Sequence, residues 1–297
     1  MPDLLCNGRG LEGKRMADVT VGLLHPGEMG SAVGGILRAT GARVLWASEG
    51  RSRASRDRAE TAGLVDVCTL AALVGESGVV LSVCPPHAAV EVARQVAARR
   101  FAGVYLDANA VSPDTVRATA SILEKAGARF VDGGIVGPPP KTSGTTRLYL
   151  SGKEAGRVAA LFKMGSLEAI VLNGPPGAAS ALKVAYAAYT KGTAALLLAI
   201  RALAIKEGVD EALVQEWARS LPELSARTDA ALRGSVRKAW RFVGEMEESA
   251  ATFAESGLPD GFSRAAAEVY RRLEGYKDAK QPPSVLEVAA TLGGQKH

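Results

Sequence analysis

Residues Val19 to Thr40, VTVGLLHPGEMGSAVGGILRAT, constrain the fold more than any other stretch of the chain. A short apolar strand, Val19 to Leu24, runs into the turn His25-Pro26-Gly27-Glu28-Met29-Gly30, and a helix of small residues comes after it. Strand, glycine turn and helix in that order make a cradle for a dinucleotide pyrophosphate. Glycines let the backbone approach the phosphates, and the free amides and positive dipole of the helix start attract them. The turn departs from G-x-G-x-x-G at its first position, where His25 stands, and keeps Gly27 and Gly30 at the second and third. An ordinary strand-to-helix turn carries the same two glycines, so the assignment depends on the rest of the chain.

A second strand, Ala42 to Ala47, ends in Ser48-Glu49-Gly50-Arg51-Ser52-Arg53. In such folds an acidic side chain here takes the ribose hydroxyls of NAD, whereas a 2′-phosphate calls for arginine and hydroxyls. Glu49 suits the first. Ser48, Arg51 and Ser52 suit the second, and the forked guanidinium chemistry favours NADP. A solvated, arginine-rich helix start is the other use of the same residues. Gly78 to Cys84 (GVVLSVC) is a continuous apolar strand of the kind buried on both faces. Pro85-Pro86 ends it and sends the chain out over the carboxyl edge of the sheet, where a doubly wound fold binds its ligand. Val83, Cys84 and Pro85 are therefore expected at the cofactor, and His87 stands at the same exit, facing either nicotinamide or solvent.

Further strands are expected at Leu64–Val67, Gly103–Asp107, Arg129–Ile135, Thr145–Ser151 and Glu168–Leu172, with helices between them. Ser112 is placed to cap a helix that Pro113 opens. Val136-Gly137-Pro138-Pro139-Pro140-Lys141 is a stiff loop, suited to lining a ligand or to turning a corner. Beyond Gly177 the strands stop. Helices are expected at Ala178–Ile205, Glu211–Ser220, Leu224–Phe242, Met246–Glu255, Phe262–Leu273 and Ser284–Leu292. The pattern predicts an α/β, mostly parallel, doubly wound Rossmann-type sheet at 19–176, then an all-α substrate and dimerisation domain at 177–297, with the boundary near Asn173 to Gly177. Residues 1–18, polar and glycine-rich without an apolar core, read as a disordered tail, and Met16 as a possible start.

The balance of charge excludes other classes. A net charge of +5 is modest, and no basic stripe interleaved with aromatics accompanies the arginines, so a small anionic ligand is expected and nucleic acid is not. Three cysteines fit neither a metal spacing nor a disulfide framework, which points to a reduced cytoplasmic setting and no metal; Cys84 reads as a small core residue. Lys183, Lys191 and Arg201 interrupt the apolar stretch around Thr193 to Ile205, so no membrane span is expected there. It reads as a helix with more apolar surface than one subunit covers, hence a homodimer.

Lys183 lies in ALKVAYAAY, a helical stretch with almost no polar surface. Burying an ammonium there lowers its pKa toward a range useful for proton transfer, and Tyr186, one turn on, is placed to assist. A lysine whose head snorkels to solvent is the plainer alternative. Lys191-Gly192 reads as a local helix break.

Taken in order, these pieces resemble the β-hydroxyacid dehydrogenase superfamily, which includes 3-hydroxyisobutyrate and 6-phosphogluconate dehydrogenases, in a branch with a short helical C-terminal domain. The resemblance spans Val19 to Leu273. It rests on the His25–Gly30 turn, on Arg51-Ser52, on Asp107-Ala108-Asn109-Ala110, on Asp132-Gly133-Gly134-Ile135-Val136-Gly137-Pro138 and on Lys183. It implies an NADP-dependent transfer of hydride to or from a small hydroxy acid, alcohol, aldehyde or ketone. Lys183 would be general acid/base, Asn109 would lie at cofactor and catalytic centre, and Val136, Gly137, Pro138 and Lys183 at the substrate. The sequence departs from the family at Asn109, where serine or threonine is usual, at Val136–Pro138, where serine and glycines are usual, and at Ala187, where asparagine is usual. An imine reductase, or an NADP-sensing protein without catalysis, is the alternative those departures leave open.

Overall fold

A computed structural model describes residues 19–294; the tail expected at 1–18 lies outside the described residues. The chain divides into two compact units. Ala88–Asn109 and Val116–Ala179 join the residues up to Cys84 in the first, and Pro85–His87, Ala110–Thr115 and the residues from Ser180 onward form the second.

The first unit is a mixed eight-stranded sheet in the order β3-β2-β1-β4-β5-β6-β7-β8. Its strands are β1 (Thr20–Leu23), β2 (Arg43–Trp46), β3 (Val65–Asp66), β4 (Val79–Ser82), β5 (Val104–Asp107), β6 (Arg129–Val136), β7 (Thr146–Ser151) and β8 (Leu167–Val171). Every neighbouring pair is parallel except β6 with β7. The helices α1 (Glu28–Ala39), α2 (Arg53–Thr61), α3 (Leu70–Glu76), α4 (Ala89–Ala97), α5 (Pro113–Lys125) and α6 (Ala155–Ala159) connect the strands. Parallel neighbours force long crossovers, and the strands covered by them read as unbroken apolar runs because both faces are buried. Leu23, Leu81 and Leu106 are accordingly at 0–1% exposure, each contributing about 1.5–3 kcal/mol of burial. Between β1 and β4 the order of strands reverses, and doubly wound folds bind ligand at the carboxyl ends of such a switch point.

β6 serves two partners in turn. Its first half, Arg129 to Asp132, pairs with β5, and the stretch from Asp132 to Val136 pairs with β7 beyond the level at which β5 ends. The sheet is therefore stepped, and the connection after Val136 rises past the carboxyl edge of β1 to β5. Gly137 makes that turn at φ +122, and an added Cβ would stand 2.4 Å from the Thr145 carbonyl oxygen.

The second unit is helical: α7 (Ala178–Lys206), α8 (Asp210–Ser220), α9 (Glu223–Ser235), α10 (Ala239–Glu255), α11 (Gly261–Arg272) and α12 (Val285–Leu292). Its core gathers Ala187, Leu198, Phe242, Met246, Tyr270 and Leu292. Ser284 opens α12 with a capping box that includes Glu287. Ser112 caps α5 as expected, accepting from the Thr115 amide at 3.2 Å.

Two expectations are corrected here. Helix α7 runs unbroken through Lys191-Gly192, because the Lys191 ammonium pairs with Glu245 and its carbonyl accepts from the Tyr270 hydroxyl at 2.8 Å. That anchoring outweighs the roughly 1 kcal/mol that a mid-helix glycine costs. The expected helix Leu224–Phe242 instead ends at Ser235, where Gly234-Ser235 favours a short 3-10 turn, and α10 runs on past Gly244. Helix α7 is also long and apolar enough to cross a membrane by length and composition, and only 22% of its most apolar 18-residue window is buried within the chain.

Candidate functional site

At the turn, Gly27 precedes α1 in extended conformation and no side chain caps the helix, so the first-turn amides keep their donors for a ligand. The Gly27 amide donates to the His25 carbonyl at 2.9 Å. A Cβ on Gly30 would come within 2.2 Å of that same oxygen, so only glycine fits there. A Cβ on Gly27 would meet nothing within 4 Å, which leaves open space over the helix start. Pro26 is buried, and its carbonyl accepts from Arg58 Nε at 3.0 Å, tying α2 to the turn. Met29 packs against the sheet core, while Glu28 is exposed in the first turn.

The His25 ring sits where the first glycine of such a turn would leave space. Its Nδ1 is buried and has no hydrogen-bond partner among the described residues. Burial, and then the nearby Arg51 guanidinium, push its pKa down to about 4, so the ring is neutral at pH 7. Arg51 Nε is likewise buried without a partner, and burial lowers the Arg51 pKa. Around it the backbone is pinned. The Ser48 amide donates to Asp66 Oδ1 at 3.2 Å, and the Ser48 carbonyl accepts from the Arg51 amide at 3.1 Å and from Arg56 at 2.9 Å. Ser52 caps α2, accepting from the Ser55 amide at 3.3 Å.

A third strand end meets them. Arg51 and Cys84 interact electrostatically, so His25, Arg51 and Cys84 gather at the carboxyl ends of β1, β2 and β4. Cys84 is half-buried rather than in the core, and burial pushes its thiol up to about 12. Asn109 clamps this exit: its Oδ1 accepts from the Cys84 amide at 2.6 Å, and its Nδ2 donates to Ser82 Oγ at 3.1 Å. Both ends of the side-chain amide are thus engaged in holding the strand ends. The Asn109 amide in turn donates to Asp107 Oδ1 at 3.0 Å, while Asp107 Oδ2 is buried without a partner among the described residues. Burial raises the Asp107 pKa to about 7, and the neighbouring Asp132 adds to the rise. Val83 packs on the core, and Pro85 and His87 are exposed.

Of the loop residues, Val136 is buried at the end of β6 opposite Arg147, whereas Gly137 and Pro138 are exposed. Asp132 plays a part that sequence reasoning missed. Its Oδ2 accepts from the Gly177 amide and from Ser151 Oγ, both at 2.9 Å, and Ser151 Oγ accepts from the Ala179 amide at 3.2 Å. The two side chains cap the start of α7.

In the helical unit, Lys183, Ala187 and Lys191 lie one turn apart along α7. Burial, then the Arg241 guanidinium, bring the half-buried Lys183 ammonium down to about 8. Burial, then Lys183 and Arg241, press Lys191 well below its usual range, and contact with Glu245 favours its charged form against them. Lys191 also stands 4.7 Å over the Phe242 ring. Sequence reasoning missed this cluster; Arg241 and Glu245 at i and i+4 on α10 were the available signal. Ala187 packs into the helical core. Tyr186 is 48% exposed.

Known proteins share this fold. A conserved protein of unknown function, described as structurally similar to 3-hydroxyacid dehydrogenases, matches with 29% identity and a TM-score of 0.67, over 87% of this chain and 98% of that one. The chain has the fold of the 3-hydroxyacid dehydrogenase superfamily. 3-Hydroxyisobutyrate dehydrogenase from Mycobacterium tuberculosis shares this dehydrogenase fold with a TM-score of 0.68 at 17% identity, over 94% of this chain and 99% of that one. More distant structures of the same dehydrogenase fold are complexes with NADP(H). An uncharacterised 28.5 kDa protein encoded in a 7S RNA 5′ region of Methanothermus fervidus is 30% identical over 167 residues. That match takes in 56% of this chain and 64% of the relative's length. Residues 204–273 match a domain of unknown function, DUF1932.

Proposed function

We propose that the chain is an NADP-dependent oxidoreductase acting on a small hydroxy acid, alcohol, aldehyde or ketone, with Lys183 as proton donor and acceptor. The observation that carries this reading is the Lys183 amine, set in the apolar stretch Ala181–Tyr189 of α7 and brought to about 8 by burial and Arg241. A group poised near neutrality gives a proton to a carbonyl oxygen during reduction and recovers it during oxidation. The cations around it favour negative charge developing on that oxygen.

The residues present suit a phosphorylated dinucleotide. Open space over Gly27, uncapped amides at α1 and the orphaned nitrogens of His25 and Arg51 are the features a polyanionic ligand uses. Arg51 and the Ser48–Ser52 turn would hold the 2′-phosphate, and Asn109, through Cys84, would set the backbone against the nicotinamide end. The bound cofactor supplies the hydride chemistry.

The partner we propose is a second copy of the chain. Tyr186, Tyr189, Leu196 and Leu203 are all exposed on α7 at spacings of three and seven residues, with Leu196 at 58% and Leu203 at 60%. Such a stripe is the seam of a helix pair.

Titration with NADPH and NADH tests the cofactor, read by quenching of Trp46, which ends β2 beside the Ser48 turn. Arg51→Ala is expected to weaken NADPH roughly tenfold or more while leaving NADH unchanged, the loss of one charge-assisted phosphate contact. Equal loss for both cofactors would remove the 2′-phosphate role.

A further inference from the structure

Resting on the NADP reading above, we propose that His25 is a contact of the phosphate-bearing ribose and takes up a proton when the 2′-phosphate binds. Three observations support this position. The ring occupies the first position of the phosphate turn, where a hydrogen atom would otherwise stand. Its Nδ1 is buried with no partner among the described residues, and so is Nε of its neighbour Arg51. Both belong to the group of strand ends that also includes Cys84. Two orphaned nitrogens on interacting side chains mark a place that an acceptor-rich group completes.

Each element that meets at the turn carries a charged or titratable group, and Arg51 is the one that acts on the ring. Arg51 follows β2, Arg58 comes from α2 with Nε on the Pro26 carbonyl, Glu28 opens α1, and the Cys84 thiol follows β4. Without ligand, burial and Arg51 keep the imidazole neutral. A 2′-phosphate opposes both influences. It neutralises Arg51, removing the repulsion, and puts a double negative charge within reach of the ring. The sign is definite: the complex binds more protons at His25 than the free protein, so affinity for NADPH falls as pH rises between the two titrations. NADH lacks the 2′-phosphate and leaves the ring neutral.

Calorimetry on the full chain tests this, with NADPH and NADH titrated in two buffers of different ionisation enthalpy at pH 6.5. The wild type is expected to take up about half a proton more per NADPH than His25→Gly, the difference cancelling the phosphate's own titration. His25→Gly is expected to bind NADPH about tenfold more weakly and NADH unchanged, the loss of one charge-assisted contact. His25→Gln, which keeps the bulk without the titration, loses the extra proton as well and covers the case in which the glycine variant fails to fold. Equal proton counts in wild type and variants, or tighter binding of both cofactors by His25→Gly, would overturn the proposal and make the ring an obstruction. Failure of the wild type to bind either cofactor would instead overturn the NADP reading on which it rests.

Discussion

Lys183 and Asp107 are shifted in opposite directions by the same cause, and each leaves its own mark on pH dependence. In the proposed reaction reduction uses protonated Lys183, so its rate is expected to fall as pH rises through about 8, and the reverse reaction to rise over the same range. Lys183→Met is expected to lower turnover about 10²–10⁴-fold while NADPH still binds; turnover within threefold of wild type would remove the mechanism. Asp107 titrates at about 7 in the folded chain, well above the usual carboxylate range near 3.8. The folded state therefore holds the extra proton between these values, and stability is expected to decline as pH rises from 4 to 7, by at most about 4 kcal/mol. Asp107→Asn flattens that decline in chemical denaturation; an unchanged slope from pH 5 to 8 would clear Asp107 of it. Lys183 was legible in the sequence because its neighbours along the chain are apolar. Asp107 was legible as part of a motif, but its orphaned oxygen depends on what β4 and β6 bring beside it.

At the scale of elements, α7 carries two separable burdens. Its start is held by Asp132 and Ser151 from the sheet. Asp132→Ala is expected to cost about 2–3 kcal/mol, measured by urea denaturation, because it leaves buried amide and hydroxyl donors unmatched. Further along, the exposed stripe through Leu196 and Leu203 is the seam proposed for self-association. Leu196→Glu with Leu203→Glu is expected to halve the mass seen by light scattering without loss of helix; a wild type that is monomeric at all concentrations would refute the seam. Strand and helix order could be read from hydrophobic period alone, since buried parallel strands give runs and exposed helices give stripes. The break between α9 and α10 could not. Glycines stand both at the break, in Gly234, and within α10, in Gly244, and only tertiary packing decides which of them ends a helix.

For the molecule as a whole, the proposed cofactor site draws on residues of one unit. NADPH at a hundredfold its dissociation constant is expected to stabilise the chain by about 2.7 kcal/mol. Hydrogen-exchange protection should be centred on Val21–Gly30, Ser48–Ser52 and Cys84; protection confined to α8 to α12 would contradict the assignment. The stepped sheet has a further consequence, which concerns how the chain is made. β1 pairs with β4, so Val21 waits for Val79 to be synthesised before the phosphate turn has both its neighbours. The upper half of β6 meets β7 across a single short connection and closes as a local hairpin. Local pairings form early and distant ones late. A lesion at the turn of Gly27 and Gly30 would therefore leave a nascent chain with its central strand uncovered and exposed to aggregation, whereas one in Val136–Pro138 would disturb a hairpin that can already have closed.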